Sequence, residues 1–255
     1  MVSELIDLQS AAEKLGVHYQ TAYKWVRSGQ LPAQLICNKY AIDPAELDAF
    51  AQQRLKPAAP TVRKPRSGFG NISQSFTEFL IAGEEGLASK AITGLTQDGV
   101  ALTVIIEEVM VPALSFIGLA WSDGQLTIWQ EHRASGIVER ILAEHYPNPR
   151  GRRRGTAVIA AVEGELHALP ASMAAAALRE DNWHVHLLGA NLPTAELLDF
   201  CDRESPDLAV ITVTNTRLHE QALEVAAQVE ACGVRIVVGS PGGSLTELQE
   251  LAKAP

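Results

Sequence analysis

The chain has 255 residues, of which 47% are hydrophobic and 20% are charged, a balance that excludes an intrinsically disordered protein. This length gives room for two or three compact units. The sequence has no run of about 18 uninterrupted apolar residues, and its N-terminus lacks the basic and apolar regions of a secretion signal. We therefore expect a cytoplasmic protein without a membrane span.

The net charge of −9 is unevenly distributed along the chain. Residues 1–66 hold nine lysines and arginines against six acidic residues, a net charge of +3, and the remainder holds twelve against twenty-four, a net charge of −12. A basic N-terminal part on an acidic body is expected where only that end of the protein contacts phosphate groups.

A helix-turn-helix pattern occupies residues 1–54. The spacing of apolar residues predicts a first helix over Ser10–Leu15, a tight turn at Gly16 and a second helix over about 18–28. The second helix is expected to bury Ala22 and Trp25 and to expose most of its polar side chains. These exposed groups have the chemistry to enter a major groove or to bind phosphates.

A turn at Gly29, a short hairpin wing ending at Pro44 and a closing helix over Pro44–Gln53 are expected next. The whole pattern resembles the winged helix-turn-helix domains of the MerR and excisionase class, over nearly all of residues 5–52. The resemblance implies binding to double-stranded DNA. The DNA-binding candidates that it gives are Tyr19, Gln20, Thr21, Lys24, Arg27 and Lys39. The alternative is a small helical hairpin that packs on a partner.

A linker and a helical segment follow the predicted DNA-binding unit. Residues 55–70 contain Pro57, Pro60 and Pro65, which cannot continue a helix, so this linker should be extended and semi-rigid. In residues 71–148 the apolar side chains recur at helical spacing and glycines separate the periodic stretches. The pattern predicts a four-helix bundle with short connections.

Strands alternate with helices in residues 149–255, beginning with the buried apolar run Ala157–Val162. This alternation predicts a parallel, doubly wound, Rossmann-like sheet, in which ligands bind at the carboxyl ends of the strands. The predicted strands are 157–162, 183–188, 208–214 and 234–238. The expected fold is therefore multi-domain, with α units followed by an α/β unit.

Polar or small residues lie at or just after the C-terminal ends of three of these strands, at the places where such sheets bind ligands. They are Glu165, His167, Thr212, Thr214, Gly239 and Ser240. Forty-one residues separate Pro170 from Thr212. The series resembles the cobalamin-binding signature, Asp-x-His-x-x-Gly, then Ser-x-Leu or Ser-x-Thr, then Gly-Gly.

The resemblance implies that His167 is the lower axial ligand to cobalt and that Glu165 holds its other ring nitrogen. The chain departs from the signature at two positions, with Pro170 in place of Gly and Ser240 in place of the second Gly of the pair. Thr212 in place of Ser keeps the hydroxyl group.

The helical segment contains a second motif, in which nine residues separate Trp121 from Glu131-His132. This spacing resembles the W-x9-EH motif of CarH-type photoreceptors, in which the Trp covers the upper face of adenosylcobalamin. Ser122 stands where some of these sensors have a histidine able to take the upper position on cobalt. The resemblance implies a repressor that binds DNA as a dimer or tetramer in the dark and is released by light.

Other residues receive no functional role. His184 and His186 are expected to be core or edge residues, and the arginines from Arg150 to Arg154 a solvated cluster. No Ser/His/Asp constellation and no phosphate-binding glycine loop is present in the sequence, so we expect no enzyme. Two alternatives stay open: a regulator of the same architecture that binds another chromophore or a protein partner, and a corrinoid carrier for methyl transfer.

Overall fold

The computed structural model describes residues 5–15, 19–36, 39–54, 68–239 and 242–253. His18, Ser240 and most of the linker lie outside these ranges. The described residues form the three units that the sequence predicts, in the predicted order.

The N-terminal unit begins with α1 (Leu8–Lys14) and α2 (Tyr19–Arg27). Helix α1 starts two residues earlier than the apolar pattern predicts, because the Asp7 carboxylate accepts a hydrogen bond from the Ser10 amide at 2.7 Å and caps the helix. Three short strands pair antiparallel in the order β1-β3-β2, and a third helix closes the unit. These elements are β1 (Ile6–Asp7), β2 (Gln34–Ile36), β3 (Lys39–Ile42) and α3 (Pro44–Arg54).

The core of this unit forms where α2 meets α3. Ala22 and Trp25 are buried as expected, and the Trp25 ring lies 5.2 Å from the Phe50 ring. Burial of two aromatic rings contributes a few kcal/mol to such a small unit. This contact fixes α2 relative to α3.

Four helices form the second unit, as predicted. They are α4 (Gly70–Ala82), α5 (Glu85–Gln97), a long third helix and α8 (Ile128–His145). The third helix consists of α6 (Leu102–Ile105), a π-helical turn (Ile106–Met110) and α7 (Val111–Ser122).

The π-helical turn was not predicted. The Val111 amide donates to the Ile106 carbonyl, five residues back, and Pro112 follows in the first turn of α7. Proline has no amide hydrogen to donate, so the regular hydrogen-bond ladder is interrupted at this point in any case. Apolar periodicity does not distinguish a π-turn from an α-helix, whereas the proline is a visible signal.

The segment Leu102–Ser122 is long and apolar enough to cross a membrane by length and composition, with a mean hydropathy of 1.9. This is weak evidence for a span, because the core helix of a bundle passes the same test. Half of the segment is buried inside the structure. Its apolar side chains pack in one core with side chains of the other three helices, among them Phe76, Ile92 and Ile137.

The third unit is a parallel four-stranded sheet with the order β5-β4-β6-β7. Helices α9 and α12 cover one face and α10 and α11 the other, which confirms the doubly wound fold. Its strands are β4 (Thr156–Val162), β5 (His184–Leu192), β6 (Leu208–Thr212) and β7 (Arg235–Gly239). Its helices are α9 (Leu169–Glu180), α10 (Thr194–Glu204), α11 (His219–Ala231) and α12 (Leu245–Lys253).

The strand order reverses at the first strand of this sheet. From β4 the chain moves outward to β5 and then returns to the other side of β4 for β6. The loops that follow β4 and β6 therefore lead to opposite faces and leave a crevice at the carboxyl ends of these strands. The bundle packs on the sheet unit, since Met173 and Ala176 of α9 lie in the bundle core.

Candidate functional site

The loop after β4 forms the centre of the crevice. Gly164 has a φ of +89°, a backbone conformation that favours glycine, and it turns the chain sharply at the end of the strand. Its amide donates to Asn191 Oδ1 at 2.7 Å, and the Asn191 amide donates to the Glu165 carbonyl at 2.8 Å. The end of β5 therefore holds the loop in position.

Glu165 is almost completely buried, with 1% of its surface exposed. One carboxylate oxygen, Oε1, accepts the His167 amide at 3.0 Å and lies 2.5 Å from His167 Nδ1. The other oxygen, Oε2, accepts the Thr214 amide and hydroxyl at 2.7 and 2.8 Å and the Asn215 amide at 2.8 Å. A single carboxylate thus joins the loops after β4 and β6.

Two opposing effects set the pKa of Glu165. Burial alone would raise the pKa of this carboxyl, but hydrogen bonds from His167, Asn215 and Thr214 outweigh burial and hold the pKa well below its ordinary value. The carboxylate is therefore ionised at neutral pH and acts only as an acceptor.

His167 is oriented by this carboxylate. Nδ1 contacts Glu165, and the Thr214 hydroxyl lies 3.0 Å from the same nitrogen. Because an ionised carboxylate accepts, we infer that Nδ1 carries a proton, which leaves Nε2 as the ring nitrogen that does not contact Glu165. The His167 side chain is 57% exposed, so Nε2 belongs to an accessible imidazole. Histidines that bind metals are commonly held by a carboxylate in this way, which fixes their tautomer.

Thr212 ends β6 beside the crevice. Its hydroxyl is buried and finds no hydrogen-bond partner among the described residues. Gly239 lies opposite Thr212 in the sheet register, and a Cβ at this glycine would contact Thr212 Cγ2 at 4.0 Å. A buried hydroxyl without a partner is costly unless a ligand satisfies it.

A small apolar recess lies between the sheet and the helices that follow β5 and β6. Its lining includes Val162, Leu197 and Ile211. Residues at the ends of β4 and β6 are thus shared between the Glu165 loop and an apolar recess, an arrangement suited to a ligand with polar and apolar parts.

The departure at Pro170 has a structural reason. Pro170 lies in the first turn of α9, where the amide hydrogen would have no acceptor within the helix. Its fixed φ suits the helix start, and the loop from Gly164 to His167 keeps its hydrogen bonds. Ser240, the second departure, lies outside the described residues.

The bundle places the remaining cofactor candidates on α7 and α8. Trp121 is 3% exposed, and its Nε1 finds no hydrogen-bond partner among the described residues. In the first turn of α8, Glu131 lies 3.6 Å from His132 and accepts a hydrogen bond from Ser135. In the described part of the chain, no hydrogen bond or ion pair connects these residues with Glu165 or His167. The structure therefore brings the crevice candidates around Glu165 and His167 together. The bundle candidates Trp121, Glu131 and His132 form a separate set.

The DNA-binding candidates lie on α2 and β3. Tyr19, Arg27 and Lys39 are exposed, and Gln20 is half-buried. A hydrogen bond with Tyr40 raises the pKa of Arg27. Thr21 lies within α2.

Lys24 is also half-buried, and its ammonium group lies 3.5 Å from the centroid of the Trp121 ring. In this cation–π contact, Lys24, a candidate for DNA binding, packs against Trp121, a candidate for cofactor binding.

Sequence reasoning missed two asparagines and one leucine of the crevice. Asn191 and Asn215 hold the loops through side-chain and backbone hydrogen bonds, and Leu166 beside His167 is 59% exposed. Asn191 has a φ of +54°, which asparagine tolerates better than most residues. The available signal was Asn215, which directly follows a predicted buried strand at the edge where such sheets bind ligands.

Comparisons with known proteins agree with this arrangement. A helix-turn-helix domain model matches residues 5–55, and two different models of a B12 binding domain match residues 72–144 and 155–254. The first B12 match covers the bundle and the second covers the parallel sheet.

Two relatives are transcriptional repressors of Myxococcus xanthus. The HTH-type transcriptional repressor CarA is 29% identical over 124 residues, 46% of this chain and 42% of CarA. The HTH-type transcriptional repressor CarH is 36% identical over 92 residues, 36% of this chain and 30% of CarH. The chain therefore spans less than half the length of these relatives.

Among solved structures, a monomethylamine corrinoid protein of Methanosarcina barkeri is similar in fold. The TM-score is 0.55 at 11% identity, and the likeness covers 72% of this chain and 98% of the other. This likeness shows the fold alone: a helical unit followed by a Rossmann-like sheet.

Proposed function

We propose that this chain, a homologue of the CarA and CarH repressors built from a helix-turn-helix domain and two B12 binding domains, is a cobalamin-dependent DNA-binding regulator and not an enzyme. The observation that carries the proposal is the Glu165–His167 pair at the switch point of the sheet. It stands in a chain that also has a DNA-binding fold.

The residues of the crevice fit a corrinoid. His167 would hold the cobalt through Nε2, and Glu165 would fix the tautomer through its contact with Nδ1. The buried Thr212 hydroxyl, which has no hydrogen-bond partner among the described residues, is a group that the nucleotide tail of the cofactor could bind. We assign Thr214 to the support of the Glu165–His167 pair, and Gly239 to the wall beside the tail. Ser240 follows Gly239 in the signature and is proposed as a cofactor-binding residue from that resemblance alone.

Trp121, Glu131 and His132 are proposed to cover the upper face of the cofactor. The His132 imidazole is exposed and could contact a ligand directly, whereas Trp121 is buried and would have to be uncovered first. When bound, adenosylcobalamin supplies a cobalt–carbon bond that light can cleave. We therefore propose light as the input signal and adenosylcobalamin as the form bound in the dark.

Double-stranded DNA is the proposed partner of the N-terminal unit. Tyr19, Arg27 and Lys39 are exposed and carry polar or cationic groups, and Gln20, Thr21 and Lys24 complete the candidate set. Contacts to phosphates would make the affinity fall steeply with salt. A homo-oligomer, dimer or tetramer, would raise the affinity by linking several such units.

The deciding experiment is an absorption spectrum of the purified protein after incubation with adenosylcobalamin in the dark and desalting, then after green light. A retained corrinoid spectrum that converts on illumination is expected, and His167→Ala should alter the retained spectrum. His184→Ala is the matched control, because His184 begins β5 and lies at the amino ends of the parallel strands, whereas the crevice lies at their carboxyl ends.

Loss of the corrinoid from the wild-type protein on desalting would contradict the cofactor assignment. The chain would then be a regulator of another ligand or of a protein partner. Light scattering in the dark and after illumination tests the oligomer: an unchanged mass would contradict light-dependent assembly.

A further inference from the structure

A contact between two functional candidates of different kinds points to a docking surface within the chain. Lys24, in the last turns of α2, places its ammonium group over the Trp121 ring at 3.5 Å. Trp121 is 3% exposed. A lysine in this position is not available to a DNA phosphate, and the ring face beneath it is not available to a ligand.

A second contact holds the same end of α2 on the sheet unit. Arg217 donates from Nη1 to the Gly29 carbonyl at 2.8 Å and from Nη2 to the Gln30 carbonyl at 3.2 Å. These carbonyls follow the C-terminus of α2, where the helix dipole favours a cation. The Arg217 amide in turn donates to Asn215, whose own amide binds Glu165.

We infer that Trp121 and Arg217 form a docking surface for the C-terminal end of α2, and that this surface holds the recognition helix against the sensor when no cofactor is bound. Trp121 belongs to the bundle and Arg217 to the loop after β6. The end of α2 therefore bridges the two units that flank the crevice. The inference rests on the proposed function, because it gives the DNA-binding helix and the cofactor site a shared surface.

Competition then couples the two ligands. A corrinoid that needs the Trp121 ring favours the undocked state, and undocking frees Lys24 for DNA. The coupling is reciprocal, so DNA should also favour the state in which Trp121 is free. No change inside either unit is required for this regulation.

Spin-label distances test the docking directly on the full chain. Labels are attached to Asp48→Cys in α3 and to the exposed native Cys232 in a Cys37→Ser background, with Cys201 buried. The cofactor-free protein should give one narrow distance distribution, and Arg217→Ala should broaden it. A wild-type distribution as broad as that of Arg217→Ala would overturn the docking.

DNA affinity gives an independent measurement. Fluorescence anisotropy with a random-sequence 30-base-pair duplex, without cofactor, should show that Arg217→Ala binds about 3- to 10-fold more tightly, the range that the typical net contribution of one hydrogen bond gives. Arg203→Ala is the control, because it also removes one positive charge from an exposed site. Charge loss alone lowers DNA affinity, so an increase identifies release of the helix. Equal or weaker binding of Arg217→Ala would overturn the inference.

Addition of adenosylcobalamin in the dark separates the two hypotheses. If the corrinoid is retained and the wild-type distance distribution broadens, competition at Trp121 is supported. If the corrinoid is retained and the wild-type distance distribution stays narrow, the hypothesis that the corrinoid and Lys24 compete for Trp121 is wrong. If it is not retained, the proposed cofactor is wrong, and the cofactor-free comparisons still decide the docking.

Discussion

The Glu107 carboxylate accepts the Leu245 amide at 2.6 Å and the Ser244 hydroxyl at 2.8 Å, so the π-helical turn of the bundle caps the last helix of the sheet unit. A reciprocal cap runs in the other direction, because Glu180 of α9 accepts the Leu102 amide of α6 at 2.7 Å. Each unit thus satisfies a helix N-terminus of the other. Together with the shared apolar core, these caps fix the bundle on the sheet.

Glu107→Ala should lower the free energy of unfolding by about 1–3 kcal/mol, because it removes a charged acceptor from a helix N-terminus. Urea denaturation measures this change. Glu85→Ala is the control: Glu85 pairs with Arg140 on the exposed surface, and such pairs contribute about 0–1 kcal/mol. Equal losses in the two variants would contradict the capping role.

The pH dependence of stability should report Glu165. Its pKa in the folded protein lies below the ordinary value of 4.5, so the ionised carboxylate stabilises the fold. This contribution is complete above the ordinary value and is lost as the pH falls below it towards the folded value.

At neutral pH, Glu165→Gln should lower the free energy of unfolding by about 1.5–3 kcal/mol, the range for hydrogen bonds to a charged group. The difference from wild type should shrink as the pH is lowered from about 5 to 3. Thermal unfolding across this range measures both effects, with the exposed Glu224→Gln as control. A difference that stays constant with pH would show that the ionised carboxylate is not what stabilises the crevice.

The sequence predicted those parts of the structure that depend on local patterns. Helical spacing located the bundle, and alternating strands and helices located the sheet. The signature placed Glu165 and His167 after the first strand, and the structure confirms that these two side chains meet. The hydrogen bonds of Glu165 with Thr214 and Asn215 link residues 49 and 50 positions apart.

The remaining relationships depend on how the units pack and are invisible in local patterns. The caps of Glu107 and Glu180 cross 138 and 78 positions of the chain. No periodicity or spacing indicates that Lys24 meets Trp121. Strand β6 ends at Thr212, two residues before the predicted end. The Thr214 amide donates to Glu165 and therefore does not continue the hydrogen bonds of the sheet.

Thr212→Val should have opposite effects on the free protein and on cofactor binding. Removal of a buried hydroxyl without a partner should leave the free energy of unfolding unchanged or raise it by about 1 kcal/mol. The affinity for adenosylcobalamin should fall about 2- to 10-fold if the hydroxyl binds the cofactor. Thr212→Ser keeps the hydroxyl and should keep the affinity. Unchanged affinity in the valine variant would remove Thr212 from the site.

Pro170→Gly restores the residue of the cobalamin signature and tests whether the proline affects the site. Pro170 lies in the first turn of α9, where its fixed φ is compatible with the helix. Glycine enlarges the conformational freedom of the unfolded chain, so the free energy of unfolding should fall by about 0.5–1 kcal/mol. Adenosylcobalamin affinity should stay within about twofold, because the hydrogen bonds of Glu165 and His167 do not involve this residue. Equilibrium dialysis and urea denaturation of the same preparation give both quantities. A tenfold gain in affinity would instead show that the proline obstructs the cofactor.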